Sequence, residues 1–151
     1  MDVREALRQR VNQRMMRMRA ALERFDDGSA ERERVGPRWN VRDLVGHFVF
    51  WVGEGAAEIP RLTGGASPSA YDTARLNEET YRRYRRMSFV MLCPQLRSAE
   101  ERFLASLSGV ASSALVGDTA LRAWVDWVGL EHYDHHWPGL AAAVRRLGSS
   151  G

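Results

Sequence analysis

Apolar residues return at helical spacing through the whole of the first 25 positions. Val3, Leu7, Val11, Met15, Met18, Leu22 and Phe25 are separated by steps of four, four, four, three, four and three. That interval lays them along one face of an α-helix and leaves the arginines on the others. A half-buried strand needs apolar residues at every second position, and no segment of the chain sustains that alternation. Asp26-Asp27-Gly28-Ser29 should stop this first helix, and a polar linker from Glu31 to Gly36 follows.

The pattern recurs along the chain. Asn40 is a good N-cap with Asp43 in the first turn, and Val41, Leu44, Val45, Phe48, Val52 and Ile59 form the inward face of a second helix ending near Pro60. Thr63 to Ser69 is a loop by composition. Asp72 can cap a third helix through Leu76, Asn77, Tyr81 and Tyr84, with a break or re-capping at Ser88 and a kink at Pro94 before the pattern resumes to Leu107. Asp118 is expected to cap the last helix, which Pro138 kinks or ends, although Leu140, Val144 and Leu147 keep the spacing beyond it. The expected fold class is all-α, four long helices without an internal repeat, and therefore a four-helix bundle.

With 151 residues and 44% apolar content, one domain over residues 1–147 is expected, with 148–151 as a disordered tail. The formal charge is +3, all 22 basic residues are Arg, and they interleave with acids rather than forming a block. Arginines interrupt every apolar run near the N-terminus, and no run is long enough to cross a bilayer, so the expected location is the cytoplasm. A lone Cys93 excludes an intrachain disulfide and reads as a small buried residue.

Chemistry concentrates near the C-terminal end, in Glu131-His132-Tyr133-Asp134-His135-His136-Trp137, which holds three of the four histidines. His132 and His136 continue the stripe of Leu121, Val125 and Val128 toward Leu140, so two imidazoles occupy core positions one helical turn apart. His135 lies off that stripe and belongs to the surface. His47, on the edge of the second helix's inward face, can supply a third ring. Burying such rings unpaired costs on the order of 1–3 kcal/mol each, so a ligand or partner should satisfy them. Three neutral imidazoles from two helices suit a divalent metal. Asp134 and Glu131 read as solvated acids, and Trp51, Trp124, Trp127 and Trp137 as core.

Asn77, Tyr81 and Tyr84 share a helix face, and Asn77 is a poor helix former that invites a polar role; a bundle polar network is the competing reading. Arg75, Arg82, Arg83, Arg85 and Arg86 form either a solvated face or a surface for an acidic partner or DNA. G-x-S-x-G, P-loop and G-x-G-x-x-G motifs are absent.

Three stretches carry a family resemblance. Trp39-Asn40-Val41-Arg42-Asp43-Leu44-Val45-Gly46-His47 with Trp51 resembles the signature that opens the second helix of DinB-like four-helix-bundle proteins. Glu131 to His136 resembles the eHYxEH signature of their ClbS/DfsB branch, and Tyr71 to Glu78 that branch's entry to the third helix. The branch's Glu before the last His is His135 here. The resemblance spans most of residues 37 to 140 and implies an up-down-down-up bundle. It also implies a pocket near His47, His132 and His136, a His triad of the placement that binds a divalent metal (Zn or Ni) in the wider superfamily. The implied function is a ClbS-like self-resistance enzyme that hydrolyses a strained electrophilic genotoxin of cyclopropane or epoxide type. His47, His132 and His136 then hold a metal or act as acid and base, Tyr81 and Asn77 orient the substrate, and Trp51, Tyr133 and Tyr84 contact it. The alternatives are a metal-dependent S-transferase using mycothiol or a similar thiol, and a non-enzymatic protein that sequesters a drug or protects DNA. The expected partners are a small-molecule electrophile, no membrane, and a second copy in a homodimer.

Overall fold

The local rules that place helices also place their ends. In the computed structural model, which describes residues 1–149, the first helix (α1, Val3–Leu22) starts where the Asp2 carboxylate accepts the Glu5 N–H, and it buries Leu7, Val11, Met15, Met18 and Leu22. The Asp26–Ser29 stretch ends it as expected but does more. Asp26 and Ser29 cap each other reciprocally and begin a short helix, α2 (Asp27–Arg32), where a linker was expected. Phe25 is buried from the turn between them, outside α1.

A second reciprocal cap, Asn40 with Asp43, opens α3 (Val41–Thr63). Pro60 does not end this helix, which runs on to Thr63 before Gly64. The buried Glu58 accepts the Ser69 N–H and hydroxyl as well as Arg61, and so pins the following loop to the end of α3. Asp72 caps α4 (Thr73–Tyr84), and Ser88, accepting the Met91 N–H, recaps the chain into α5 (Phe89–Ser108). The expected third helix is therefore two. Pro94 lies inside α5.

A 3₁₀ turn at Ser112–Leu115 leads to α6 (Ala120–Asp126), capped by the Thr119 hydroxyl rather than by Asp118. A π-helical segment, Trp127–Glu131, passes without interruption into α7 (His132–Ser149). Pro138 is absorbed within α7. Gly148 and Ser149, assigned to the tail from sequence, continue that helix, and residues 150 and 151 lie outside the described residues.

The described residues form an all-α fold without a strand; a lone bridge between Arg34 and Asn40 closes the loop before α3. The core is continuous from Leu7 on α1 to Ala143 on α7. Close approaches set the helix spacing. A Cβ on Gly55 of α3 would come within 2.9 Å of Phe103 on α5, and one on Gly46 within 2.6 Å of Tyr84 Cβ on α4. Gly129 of the π segment packs equally closely against Val11 of α1. No helix among the described residues is long and apolar enough to cross a membrane.

Candidate metal centre

His47 and Trp51 stand one turn apart on α3, and His132 and His136 one turn apart at the start of α7. The packing of these two helices brings the rings together. Nε2 of His47 lies 2.7 Å from Nε2 of His132, and one ligating nitrogen from each of His47, His132 and His136 falls within 4.8 Å of the others. His47 and His132 are each 6% exposed, and His136 is half-buried. The inward pair and the upstream ring expected from sequence thus meet.

Aromatic rings fix these side chains. His132 is sandwiched between Phe48 (centroids 4.5 Å, planes 18° apart) and Trp127 (5.7 Å, 7°). Trp39 lies 4.5 Å from the His47 ring and 6.0 Å from that of His136. Desolvation in this apolar shell, reinforced by the neighbouring imidazoles, holds all three in the neutral form. His47 is pushed down to about 2, His132 to about 3 and His136 to about 4.

Neutral rings have lone pairs to give, so the donor set suits Zn or another borderline divalent ion. Two observations bear on the fit. Nδ1 of both His47 and His132 is buried without a hydrogen-bond partner among the described residues, so these rings spend their polarity only on their facing Nε2 atoms. The 2.7 Å separation is that of a hydrogen bond. Two nitrogens on one tetrahedral Zn, each about 2.0–2.1 Å from it, stand about 3.3 Å apart, so the pair must open by several tenths of an ångström to share an ion. The third ring offers a nitrogen within 4.8 Å of the other two and must draw in to share the same ion. The residues fit a three-imidazole site.

The triad borders a cleft of about 630 Å³ lined by Trp39, Trp51, Trp127, Thr73, Asn77, Glu131 and His135. Trp51 donates its indole N–H to Asn77 Oδ1 at 2.7 Å. Trp51 and Asn77 thus occupy the expected place, but three tyrosines named from sequence do not line it. Tyr133, next to His132 in sequence, is rotated about 100° away around the helix. It is fully buried and donates its hydroxyl to Glu100 Oε1 at 2.7 Å. Tyr84 packs its Cβ over Gly46, and Tyr81 lies beneath the guanidinium groups of Arg38 and Arg85. Only the first turns of α4 reach the cleft.

Trp39, Thr73, Trp127, Glu131 and His135 line the cleft as well, none of them expected there from the sequence. His135 is exposed, as expected, but it stands at the rim with its ring 4.8 Å from that of His136. Spacing could have flagged Glu131 and His135, which are four apart and adjacent to the two ligating positions. Trp127 packs against the core, as its spacing predicts, and also reaches the cleft from a π segment that nothing in the sequence announces. A second, more apolar groove of about 430 Å³ lies between α1 and α5, but its one buried acid, Glu100, is taken up by Tyr133 and Arg19. In the basic segment, Arg75 and Arg82 pair with Glu79 and Glu78 of their own helix. Scans against protein-family models, curated proteins and solved structures return no match.

Proposed function

We propose that the protein is a detoxifying hydrolase with the bundle architecture of the DinB-like superfamily, adding water to a strained electrophilic ring bound in the cleft. The observation that carries the proposal is the convergence of three neutral imidazoles at the edge of an aromatic-walled cavity of small-molecule size. His47, His132 and His136 would hold a divalent ion. Such an ion supplies Lewis acidity that makes a water nucleophilic at neutral pH. Trp39, Trp51 and Trp127 enclose the apolar body of the substrate and thin the water around it. Asn77, held by Trp51, orients the bound molecule. Glu131 and His135, at the rim, pass protons between cleft and solvent. In the net reaction an oxygen–carbon bond forms at the electrophilic carbon and a ring bond breaks. The proton released by water ends on the atom that receives the ring's electron pair.

The 2.7 Å contact between Nε2 atoms favours a second reading, in which His47 and His132 act as a hydrogen-bonded acid–base pair without metal. Elemental analysis of the purified protein, together with assays of an activated cyclopropane and an epoxide with and without chelator, separates the two. The expected result is one ion per chain, chelator-sensitive formation of the water adduct, and loss of turnover by more than about 100-fold in His47→Ala and His132→Ala. Turnover unchanged in those variants overturns both readings. A requirement for added thiol would move the chemistry from hydrolysis to S-transfer.

A further inference from the structure

We infer that Asn77 is a fixed hydrogen-bond donor in the cleft and that it selects ligands carrying a neutral carbonyl-type acceptor on an aromatic or unsaturated body. The inference rests on the proposal that this cleft is the substrate site, and it narrows what the site takes. An indole N–H can only donate, so its 2.7 Å partner on Asn77 must be the amide oxygen. That contact settles which way the planar amide faces. Trp51 is 1% exposed, and turning the amide over would leave its buried N–H facing a second donor.

The Nδ2 group is therefore the limb left for a ligand. No described residue takes a hydrogen from it, and it is not among the buried atoms that lack a partner, so it is open to the cleft that Asn77 lines. Around it stand the indoles. Trp127 lines the cleft edge-on to the buried Trp51, with centroids 5.3 Å and planes 82° apart, and offers an aromatic wall. Glu131 lines the same cleft and disfavours an anionic acceptor, which leaves a neutral carbonyl. Trp51 lies one turn from His47 along α3, a rise of about 6 Å. A ligand bonded to Nδ2 and packed on Trp127 therefore lies in the same cleft as the three imidazoles.

The test compares two unstrained probes that cannot be turned over, 1-tetralone and tetralin, which differ by the carbonyl. Binding to the full chain is read by quenching of intrinsic tryptophan fluorescence, with chelator present so that the ketone cannot coordinate an ion. The expected result is that the ketone binds about tenfold more tightly. Asn77→Asp, which keeps an acceptor for Trp51 but removes the donor, should erase that preference. Equal affinities in the wild type, no binding of either probe up to its solubility limit, or a preference that survives N77D overturns the inference. Should N77D fail to fold, Asn77→Leu carries the same comparison, and equal affinities in the wild type overturn the inference in either case. The wild-type comparison is also independent of the hydrolase proposal: loss of metal or of ring opening leaves the comparison standing, and its failure leaves the metal centre standing.

Discussion

His132 shows what it takes to hold a polar ring in an apolar place. Two aromatic faces and one nitrogen contact hold the ring, and the price is an unpartnered Nδ1. The three rings make the metal-free fold acid-labile. In the unfolded chain each titrates near its ordinary value of 6.5, whereas in the fold burial holds them at about 4, 3 and 2. Below pH 6.5 the unfolded chain therefore binds the protons first. The rings exact no penalty above that pH, and stability falls steadily as pH drops from 6.5 through 4 toward 2. The upper bound is about 1.4 kcal/mol per pH unit per ring. Urea unfolding of chelator-treated protein at pH 7.5 and pH 5 should show a lower midpoint at pH 5. The pH dependence should shrink in a variant with His47 and His132 replaced by Phe. Saturating zinc at pH 7.5 should raise the midpoint, since it binds the neutral rings of the folded state. An identical pH dependence in the double variant would place the acid sensitivity elsewhere.

At the scale of the element, the last helix decides whether there is a site at all. Its π segment seats Trp127 against His132, and it does so with Gly129 wedged between α1 and α5. A Cβ there would lie 2.8 Å from Val11 Cγ2 and 3.2 Å from Phe103 Cε1, both in the fully buried core. Gly129→Ala is expected to destabilise the protein by about 1–3 kcal/mol through overpacking and to weaken zinc binding, because the displaced segment carries both Trp127 and His132. Gly36→Ala meets nothing within 4 Å and should stay within about 0.5 kcal/mol of wild type. Thermal melts and a zinc titration on the two variants check this. The sequence made much of this element legible: the stripe from Leu121 through His132 to Leu140 is buried apart from the half-buried His136. It did not announce the π segment, because the steps across it, from Val125 to Val128 to His132, are three and four as in an ordinary α-helix. Nor did it tell that α3 would run on past Pro60 or which way Pro138 would fall, whereas the helix continuing through Pro94 was legible. Tertiary packing outweighs one lost backbone bond in each case.

For the molecule as a whole, α7 is anchored in the core by a polar tie that leaves it about 100° around the helix from His132. Tyr133 is fully buried and bonds Glu100 of α5, whose second oxygen takes Arg19 of α1 at 3.2 Å. Three of the long helices thus meet in one network, and Phe48 of α3 touches both Tyr133 and His132. Glu100 stands at helical spacing between Leu96 and Phe103, a core position legible in the sequence, but a charge there reads as solvated until the partner ring is seen to reach it. Desolvation raises the Glu100 carboxyl above its ordinary value despite the hydrogen bonds of Tyr133 and Arg19. Tyr133→Phe leaves a buried carboxylate oxygen without its donor and should cost about 1–3 kcal/mol. Glu100→Gln keeps an acceptor for the tyrosine while removing a charge held out of water, so its cost should be the smaller of the two at pH 7. Because the imidazoles hang from α3 and from a different face of α7, and make no hydrogen bond to Tyr133 or Glu100, neither substitution should change the number of metal ions bound per chain. Chemical denaturation and elemental analysis of both variants decide it. If Y133F retained full stability, or lost the ion while staying folded, α7 would not be held by this tie in the way the geometry indicates.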